Sequence, residues 1–385
     1  MGNLESLSVK PKSKRIFYFD ALRALAILSV ILFHVYLTTD SFILDNVSYH
    51  SLTWFFSDFI GASFRIGVVL FLVLAGSLSL GRDWTIRKFL GRRIPRIVIP
   101  FLFWGFVFST LIAGFYWFYP NATSILAPNI LNKLSVLNPC GIVTYLHFLY
   151  SYYMADAFTS TSYWFFWMIL GTYLIMPIFN KWVYNSDLGE LEYFLFFWLI
   201  TCLFDHTLGI PFPIKLTYFV SPIGLVVLGY YLRYTDRKIL NNPYFDILLI
   251  IFAWICQLIV SYMVSTPSEF YYLDRYSIFT AIEVIGIVLL FKNFGKLNIH
   301  INFFDNPEGI FHKSIFSIAK YSYGMYLVQR FVITFIWEII RPFSIFKMFP
   351  ALSIVVLFIL SAFFSWAIIH LLNYIPNMGK IVGAK

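Results

Sequence analysis

Charged side chains are scarce in this chain. Lys, Arg, Asp and Glu make up 12% of its 385 residues, whereas 60% of the residues are hydrophobic. Soluble domains carry about 25% charged residues, and a chain this poor in charge would leave most of a water-facing surface bare. The scarcity therefore excludes a soluble one-domain or two-domain protein and predicts a polytopic membrane protein.

Cysteine is also rare, and the three cysteines are widely separated. Cys140, Cys202 and Cys256 form no CxxC pair, which excludes a disulfide framework and a thiolate metal site. The HExxH, P-loop, GxSxG and GxGxxG patterns are missing from any usable context. We therefore expect no metal ion and none of the sites that these motifs build.

Long apolar runs, in contrast, are abundant. A bilayer core about 30 Å thick requires roughly 20 apolar residues per helix, and about ten runs approach that length. The predicted fold class is therefore all-α, a polytopic membrane protein with about ten transmembrane helices. The predicted spans lie near residues 17–37, 60–80, 94–117, 163–183, 191–207, 216–232, 244–264, 276–291, 315–337 and 349–372.

The basic residues predict how the chain crosses the membrane. Most of the 28 lysines and arginines lie before the first span, between the second and third spans, and after the sixth and eighth spans. Positive charge is enriched on the cytoplasmic side of membrane proteins, so both termini are predicted to be cytoplasmic. The net charge of +9 then comes mainly from basic residues on the cytoplasmic side of the membrane. We therefore expect no nucleic-acid partner.

This topology predicts one membrane domain. We expect a cytoplasmic segment at 1–16, a transmembrane domain at 17–373 and a cytoplasmic tail at 374–385, in a multi-pass protein of the cell membrane. The first apolar run contains Asp20 and Arg23 and no cleavage site follows it, so it predicts a retained helix and not a signal peptide. The stretch 142–157 predicts a short helix on the membrane interface.

Arg23 and His34 share one face of the first predicted helix. A helix rotates by about 100° per residue, so a spacing of eleven residues corresponds to three full turns and roughly 20° more. The two side chains therefore lie on the same face, about 16 Å apart along the helix axis. Asp20 precedes Arg23 by three residues and can pair with it. Because ionisable groups inside membranes are usually functional, we predict a fixed cation near the cytoplasm and a titratable imidazole deeper in. A snorkelling arginine and a hydrogen-bonded core histidine remain the alternative.

Arginines also open the third predicted span. Arg92, Arg93 and Arg96 surround Pro95, whose missing N–H suits the first position of a helix. Guanidinium groups at a helix N-terminus, together with the helix dipole, favour phosphate. The segment therefore predicts an anion site, with an ordinary positive-inside anchor as the alternative.

Other ionisable residues lie inside or near the predicted spans. Arg65 falls in the second span and Glu283 in the eighth. Arg330 and Glu338 are eight residues apart in or near the ninth span and nearly co-facial. We therefore expect an internal ion pair between Arg330 and Glu338.

Several of these segments together resemble the acyltransferase-3 family of membrane acyltransferases, which includes O-acetyltransferases of bacterial surface polysaccharides. The Arg23–His34 spacing is similar to the first-helix Arg-x10-His pattern of that family, and Arg92–Pro100 resembles its RRxxRIxP element. Ala75 stands where the family usually has Ser, and Gln329 stands where it often has His. Weaker likenesses lie at 67–76, 163–177 and 322–327.

The resemblance implies an acyl-CoA-dependent O-acyltransferase, in particular an acetyltransferase that uses acetyl-CoA. Its acceptor is then a hydroxyl of an exported or lipid-linked glycan. His34 becomes the general base, Arg23 holds the pyrophosphate or orients the pantetheine arm, and Asp20 pairs with Arg23. The CoA phosphates would be bound by Arg92, Arg93 and Arg96. The implied partners are acyl-CoA, a glycan or lipid-linked sugar, and the lipid bilayer, with no metal and no nucleic acid.

Two other classes of protein remain open. A transporter or flippase for a lipid-linked sugar would use the same helices without acyl transfer. Transporters often carry interrupted helices in matching halves, and the absence of such a pairing here disfavours this class. A structural or sensory membrane protein is disfavoured by the co-facial Arg23 and His34 and by the arginine triplet.

Overall fold

The computed structural model describes residues 16–48, 50–123, 126–210, 212–214, 216, 222–263, 274–297, 306 and 308–384. Helices form the regular structure of these residues, and no strand occurs among them, so the predicted all-α fold is confirmed. In chain order the α-helices are α1 (Phe17–Asn46), α2 (Leu52–Ser63), α3 (Ile66–Ser79), α4 (Ile86–Phe118), α5 (Pro120–Thr123), α6 (Pro128–Leu134), α7 (Ile142–Tyr153), α8 (Trp164–Asn185), α9 (Leu188–Leu203), α10 (Pro222–Tyr234), α11 (Pro243–Met263), α12 (Ile278–Asn293), α13 (Ile310–Ile340), α14 (Ser344–Met348), α15 (Pro350–Leu372) and α16 (Met378–Ile381).

Eight helical segments in the described part of the chain are long and apolar enough to cross a membrane. They coincide with eight of the predicted spans, so the polytopic membrane architecture is confirmed. The other two predicted spans lie on α9 and α10, which are not among these eight. Helix α9 has 16 residues and continues into a π-helical turn at Phe204–Leu208, and the described part of α10 has 13 residues. The count of about ten and the cytoplasmic side of both termini therefore stay predictions. Residues 217–221 of the sixth predicted span and the basic residues at 10–15 lie outside the described residues.

Helix α1 lies at the centre of the bundle, where it packs against α3, α13 and α15. Its apolar side chains point in every direction, as expected for a helix that is covered on all sides. Leu22, Ala26, Ile27 and Ile31 have no exposed surface. Around this axis α3 pairs with α10, and α11 pairs with α12. The neighbours of α1 therefore enclose the side chains that it carries.

Two glycines allow α3 and α10 to touch backbone to backbone. A Cβ added to Gly76 would lie 1.8 Å from the carbonyl oxygen of Val226, and one added to Gly229 would lie 1.9 Å from that of Val73. Ser77 Oγ also donates a hydrogen bond of 2.6 Å to the carbonyl oxygen of Gly229. Small residues permit such crossings inside membranes, where packing drives helix association. Gly76 is therefore needed for helix packing.

The second predicted span is interrupted. Helix α2 ends at Ser63 and α3 begins at Ile66, with Phe64 and Arg65 in a turn between them. Irregular backbone at membrane depth occurs where it borders protein or a cavity. The turn places the Arg65 guanidinium 5.1 Å from the ring centroid of Phe33 on α1.

The arginine-rich segment lies inside α4 and not at its N-terminus. Helix α4 begins at Ile86, where Thr85 Oγ1 accepts the backbone N–H of Lys88 at 3.3 Å and caps the helix. The three arginines lie beyond the first turn, and Pro95 is interior. The prediction of a helix start at Pro95 is therefore wrong, because Thr85 supplies an earlier cap. The helix dipole, whose effect fades within one turn, adds little at the arginines.

The segment between α4 and α8 contains the short helix that the sequence predicts. It is α7, which begins at Ile142 as expected and ends at Tyr153, before the predicted 157. Ala155, with φ +67°, turns the chain away from the helical path. The early end of α7 therefore follows from a left-handed residue that the apolar pattern does not reveal.

The chain returns to the bundle after α15. Val382 has no exposed surface, and its carbonyl oxygen accepts the Trp104 Nε1–H of α4 at 3.3 Å. A Cβ added to Gly324 on α13 would lie 2.6 Å from the same oxygen. The end of the predicted 374–385 tail, at Val382, is therefore packed against α4 and α13.

Candidate functional site

Three adjoining cavities follow α1 through the bundle. An outer cavity of about 800 Å³ and a middle cavity of about 90 Å³ share Arg23 and Leu78 in their walls. The middle cavity and an inner cavity of about 270 Å³ share Phe165 and Tyr326. His34 lines the inner cavity. The cavities therefore form a path that leads from Arg23 to His34.

Helices α1 and α13 pass the three cavities in the same order. On α1, Arg23 lines the outer and middle cavities and His34 lines the inner one. On α13, Lys320 lines the outer cavity, Tyr323 the middle cavity and Arg330 the inner cavity. The path is thus lined along its length by two helices that pack against each other, and the predicted alignment of Arg23 with His34 is present.

Basic side chains outnumber acidic ones in the walls of the outer and middle cavities. Among the described residues, one carboxylate, that of Asp20, lines the outer cavity, and none lines the middle one. Arg93 Nη2 donates a hydrogen bond of 2.7 Å to Ser79 Oγ, which orients its guanidinium from α4 towards α3. The basic residues of the outer cavity are Arg23, Arg82, Arg233, Lys313 and Lys320. Those of the middle cavity are Arg23, Arg93 and Arg96.

The predicted pair of Asp20 and Arg23 is present. Arg23 Nη1 lies 3.1 Å from Asp20 Oδ1, and Asp20 is 3% exposed. Asp20 precedes His34 by fourteen residues, which is about 21 Å along the helix axis. It can therefore hold Arg23 in position but does not reach the imidazole.

The predicted arginine triplet divides into two parts. Arg93 and Arg96 line the middle cavity together with Arg23. Arg92 lines none of the three cavities. Its guanidinium instead lies 5.5 Å from the ring centroid of Trp84. The structure thus brings two members of the triplet to the path and turns the third away from it.

His34 contacts Gln329, the residue that stands where the resembled family often has histidine. Gln329 Nε2 lies 2.8 Å from His34 Nδ1. Gln329 has no exposed surface, and its Oε1 has no hydrogen-bond partner among the described residues. With the amide nitrogen facing Nδ1, a neutral imidazole carries its proton on Nε2. A 180° rotation of the amide puts Oε1 there, satisfies that oxygen and moves the proton to Nδ1. Gln329 can therefore select the tautomer of His34.

The predicted ion pair between Arg330 and Glu338 is wrong. Arg330 Nη1 donates to Thr38 Oγ1 at 2.9 Å and to the carbonyl oxygen of His34 at 3.3 Å. Glu338 pairs with Arg341 at 2.9 Å. The eight residues between Arg330 and Glu338 separate them by about 12 Å along the axis, and each side chain has a closer partner.

Glu283 belongs to a second polar group that lies apart from the path. It is 1% exposed and accepts hydrogen bonds from Trp254 Nε1 at 2.8 Å and from Gln257 Nε2 at 2.9 Å. Gln257 Oε1 in turn accepts Ser63 Oγ at 3.1 Å. These contacts join α2, α11 and α12, and no pattern in the sequence predicts them. Both Glu283 oxygens are satisfied, so this carboxyl holds helices together.

Arg275 is a cavity residue that sequence reasoning missed. It lies before α12, outside the predicted spans, and it carries no motif. The structure places it in the wall of the inner cavity with Arg65 and Arg330. Only the packing of distant segments brings these three residues together, so no local signal could have found them.

Comparison with known proteins identifies the family. A family model for an acyltransferase domain, that of the acyltransferase-3 family, matches residues 16–370. No curated protein and no solved structure matches the chain. The matched range contains every described residue named above in the walls of the three cavities. The chain therefore belongs to the acyltransferase-3 family and is a multi-pass membrane acyltransferase.

Proposed function

We propose that this protein transfers an acyl group, in particular an acetyl group, from acyl-CoA to a hydroxyl of an exported or lipid-linked glycan. The observation that carries the proposal is the path from a basic outer cavity to His34. Acyl-CoA has phosphates at one end and a thioester at the other. Its two ends match a path that is cationic at one end and carries an imidazole at the other.

The CoA phosphates bind in the outer and middle cavities. Arg23 lines both of them, and Arg93 and Arg96 add two guanidinium groups in the middle cavity. Planar guanidinium forks suit phosphate oxygens, with which they form paired, charge-assisted hydrogen bonds. In the predicted topology this end of the path faces the cytoplasm, where acyl-CoA is found.

The pantetheine arm then runs along α1. It must cover about 16 Å between Arg23 and His34, passing the rings of Phe165 and Tyr326, whose centroids are 5.4 Å apart. These two rings lie between the middle and inner cavities. They separate the phosphate-binding region from the position of the acyl group and keep bulk water away from the thioester.

His34 acts as the general base. Its unprotonated Nε2 takes the proton of the acceptor hydroxyl while the hydroxyl oxygen bonds to the thioester carbonyl carbon. The tetrahedral intermediate then collapses, the bond between carbon and sulfur breaks, and the imidazolium returns the proton to the CoA sulfur. The products are an ester of the acceptor and free CoA, and His34 is neutral again.

Gln329 positions His34 for this role. A base at Nε2 requires the imidazole proton on Nδ1, which in turn requires Gln329 Oε1 to accept that N–H. The Nδ1 contact of 2.8 Å and the otherwise unpaired Oε1 support this arrangement after rotation of the amide. Gln329 lines none of the three cavities and contacts His34, so we assign it a positioning role.

Release of free CoA tests the proposal. Purified protein in lipid nanodiscs is given acetyl-CoA and a panel of sugar acceptors, and the released thiol is titrated. We expect His34→Ala to lower the rate at least about 100-fold while acetyl-CoA still binds. His147→Ala, which alters an exposed histidine on α7, is the matched control and should retain full activity. Retained release in His34→Ala would exclude the general-base role.

The same experiment distinguishes an acyltransferase from a flippase. A flippase would move a labelled lipid-linked sugar across a vesicle membrane without releasing CoA. Membership of an acyltransferase family gives that alternative no support. The proposed function therefore predicts that CoA release depends on both the acceptor and His34.

A further inference from the structure

The inner cavity has an arginine cluster of its own. Arg65, Arg275 and Arg330 line it, and no Asp or Glu of the described chain does so. They come from the turn between α2 and α3, from the segment before α12, and from α13. None of them lies in the outer or middle cavity. A wall with three guanidinium groups and no carboxylate favours a negatively charged ligand.

Arg330 has only neutral hydrogen-bond partners among the described residues. One of its nitrogens, Nη1, donates to Thr38 Oγ1 and to the carbonyl oxygen of His34. A guanidinium has five N–H donors, so most of its hydrogen-bonding capacity is not used by these contacts. A cation without a carboxylate partner is costly inside a membrane. An anion that enters the inner cavity would offset that cost.

Two carboxylates lie behind the cluster without cancelling it. Asp274 pairs with Arg275 at 3.4 Å and with His206 at 3.5 Å, and Asp58 accepts a hydrogen bond from Ser261. Burial raises the pKa of Asp274, but the hydrogen bond from His206 and the charge of Arg275 outweigh it and hold that pKa below its usual value. Asp274 is therefore ionised at neutral pH. Asp274 offsets part of the charge of Arg275, and Asp58 acts on the charge of Arg65. Even with both carboxylates ionised, the three guanidinium groups outnumber them, so the cluster stays positive.

Aromatic rings fix two of the guanidinium groups. The Arg275 guanidinium lies 4.0 Å from the ring centroid of Trp164, and that of Arg65 lies 5.1 Å from the ring centroid of Phe33. Arg65 Nε also donates a hydrogen bond of 3.1 Å to the carbonyl oxygen of Gly61. Stacking on a ring holds the plane of each guanidinium group in the cavity wall. The cavity volume of about 270 Å³ lies just under the usual range of roughly 300–1,000 Å³ for ligand pockets. It therefore suits a single sugar ring better than a longer stretch of glycan.

We propose that the acceptor of this enzyme is acidic: its acylated sugar carries a carboxylate or a phosphate, which Arg65, Arg275 and Arg330 bind in the inner cavity. This inference rests on the proposed function and names the class of acceptor. The anionic group of the acceptor then binds on the side of His34 that faces away from Arg23. The acceptor hydroxyl and the thioester then meet at the imidazole from opposite directions.

The inner cluster does not suit the phosphates of the donor. His34 lines the same cavity as the three arginines, whereas the phosphate and acyl ends of CoA must be separated by an arm of about 16 Å to reach from Arg23 to His34. Phosphates bound in the inner cavity would leave the thioester far from the imidazole. Two separate anion sites, one on each side of His34, remove this conflict.

Matched small sugars test the inference without catalysis. The purified protein in nanodiscs is titrated with methyl glucuronoside, glucose 1-phosphate and methyl glucoside, with binding detected by saturation-transfer NMR. We expect at least one acidic sugar to bind about tenfold more tightly than methyl glucoside. The tighter of the two acidic sugars identifies the anion as carboxylate or phosphate. Equal binding of all three, or no binding of the acidic pair, would overturn the proposal.

Variants link that preference to the cluster. Arg275, which is the most accessible of the three, is changed to Gln, and we expect the preference for acidic sugars to fall about tenfold, whereas Arg275→Lys keeps most of it. The matched control is Arg341→Gln, because Arg341 pairs with Glu338 and lies outside the cavity. A preference that survives Arg275→Gln and Arg330→Gln unchanged would contradict the assignment.

Acetyl-CoA binding in the same preparation separates this inference from the proposed function. If acetyl-CoA binds and CoA is released but acidic sugars show no preference, the acidic acceptor is wrong and the acyltransferase function stands. If acidic sugars bind through Arg275 but acetyl-CoA does not bind, the donor proposal is wrong and the anion site stands.

Discussion

The two arginine clusters on either side of His34 differ in origin and setting. Arg23, Arg93 and Arg96 come from two motif segments near the start of the chain and line the middle cavity, and Arg23 also lines the larger outer cavity. The inner cluster draws one residue each from three segments far apart in sequence and lies among aromatic rings. In the proposed function the first cluster binds the phosphates of CoA, and the second binds the acidic group of the acceptor.

The difference also separates what a motif can reveal from what only the fold can reveal. The sequence predicts Arg23, Arg93 and Arg96 as site residues because each lies in a motif that spans only a few turns of one helix. Helix periodicity then gives the relative positions of the residues in that motif. The inner arginines become neighbours only when α13 packs on α1 and the chain breaks between α2 and α3.

The largest effect on donor binding is expected from loss of two middle-cavity arginines. Arg93→Gln together with Arg96→Gln should weaken acetyl-CoA binding about 100-fold, because two charge-assisted contacts to phosphate are lost. Binding of acidic sugars should not change. Arg87→Gln, an exposed position on the first turn of the same helix, is the control. Equal losses for donor and sugar would show that the two clusters are one site.

A smaller effect on rate is expected at Gln329. Gln329→Leu removes the group that orients His34 and should lower acyl transfer about tenfold or more, with acetyl-CoA binding unchanged. Gln329→Glu, whose carboxylate accepts the Nδ1–H, should restore most of the rate. A merely structural role would give no such rescue, so equal losses in both variants would contradict the positioning role.

Loss of the Asp20 carboxylate should have a modest effect. Asp20→Asn weakens the 3.1 Å contact that holds Arg23, and we expect acetyl-CoA binding to fall by a few-fold, in keeping with a single ion pair. Isothermal titration measures this change. Asp45→Asn, at an exposed position near the other end of α1, should leave binding unchanged. A lower rate of acyl transfer at saturating acetyl-CoA would indicate that Asp20 contributes to catalysis and does more than hold Arg23.

The smallest effect is expected at Arg92. Its guanidinium lies near Trp84 and outside the three cavities, so Arg92→Gln should change acetyl-CoA affinity less than about twofold, as is usual for surface substitutions. The measurement is the same titration. A loss as large as that of the Arg93 and Arg96 pair would return Arg92 to the phosphate site that the sequence predicted.

Much of the fold followed from the sequence because it depends on local regularities. Apolar run lengths located eight spans that the structure confirms, and the eleven-residue spacing aligned Arg23 with His34. The start of α4 was missed because the Thr85 cap competes with the signal from Pro95. The partner of Arg330 was missed because Thr38 lies on another helix. Contacts between helices depend on packing, which periodicity within one helix does not encode.

The most direct test of the two-sided site is a cryo-EM structure with a stable analogue of acetyl-CoA in which a methylene group replaces the thioester sulfur. We expect its phosphates to lie beside Arg23, Arg93 and Arg96 and its acetyl group to reach the inner cavity next to His34. Phosphates bound instead by Arg65, Arg275 and Arg330 would contradict this expectation.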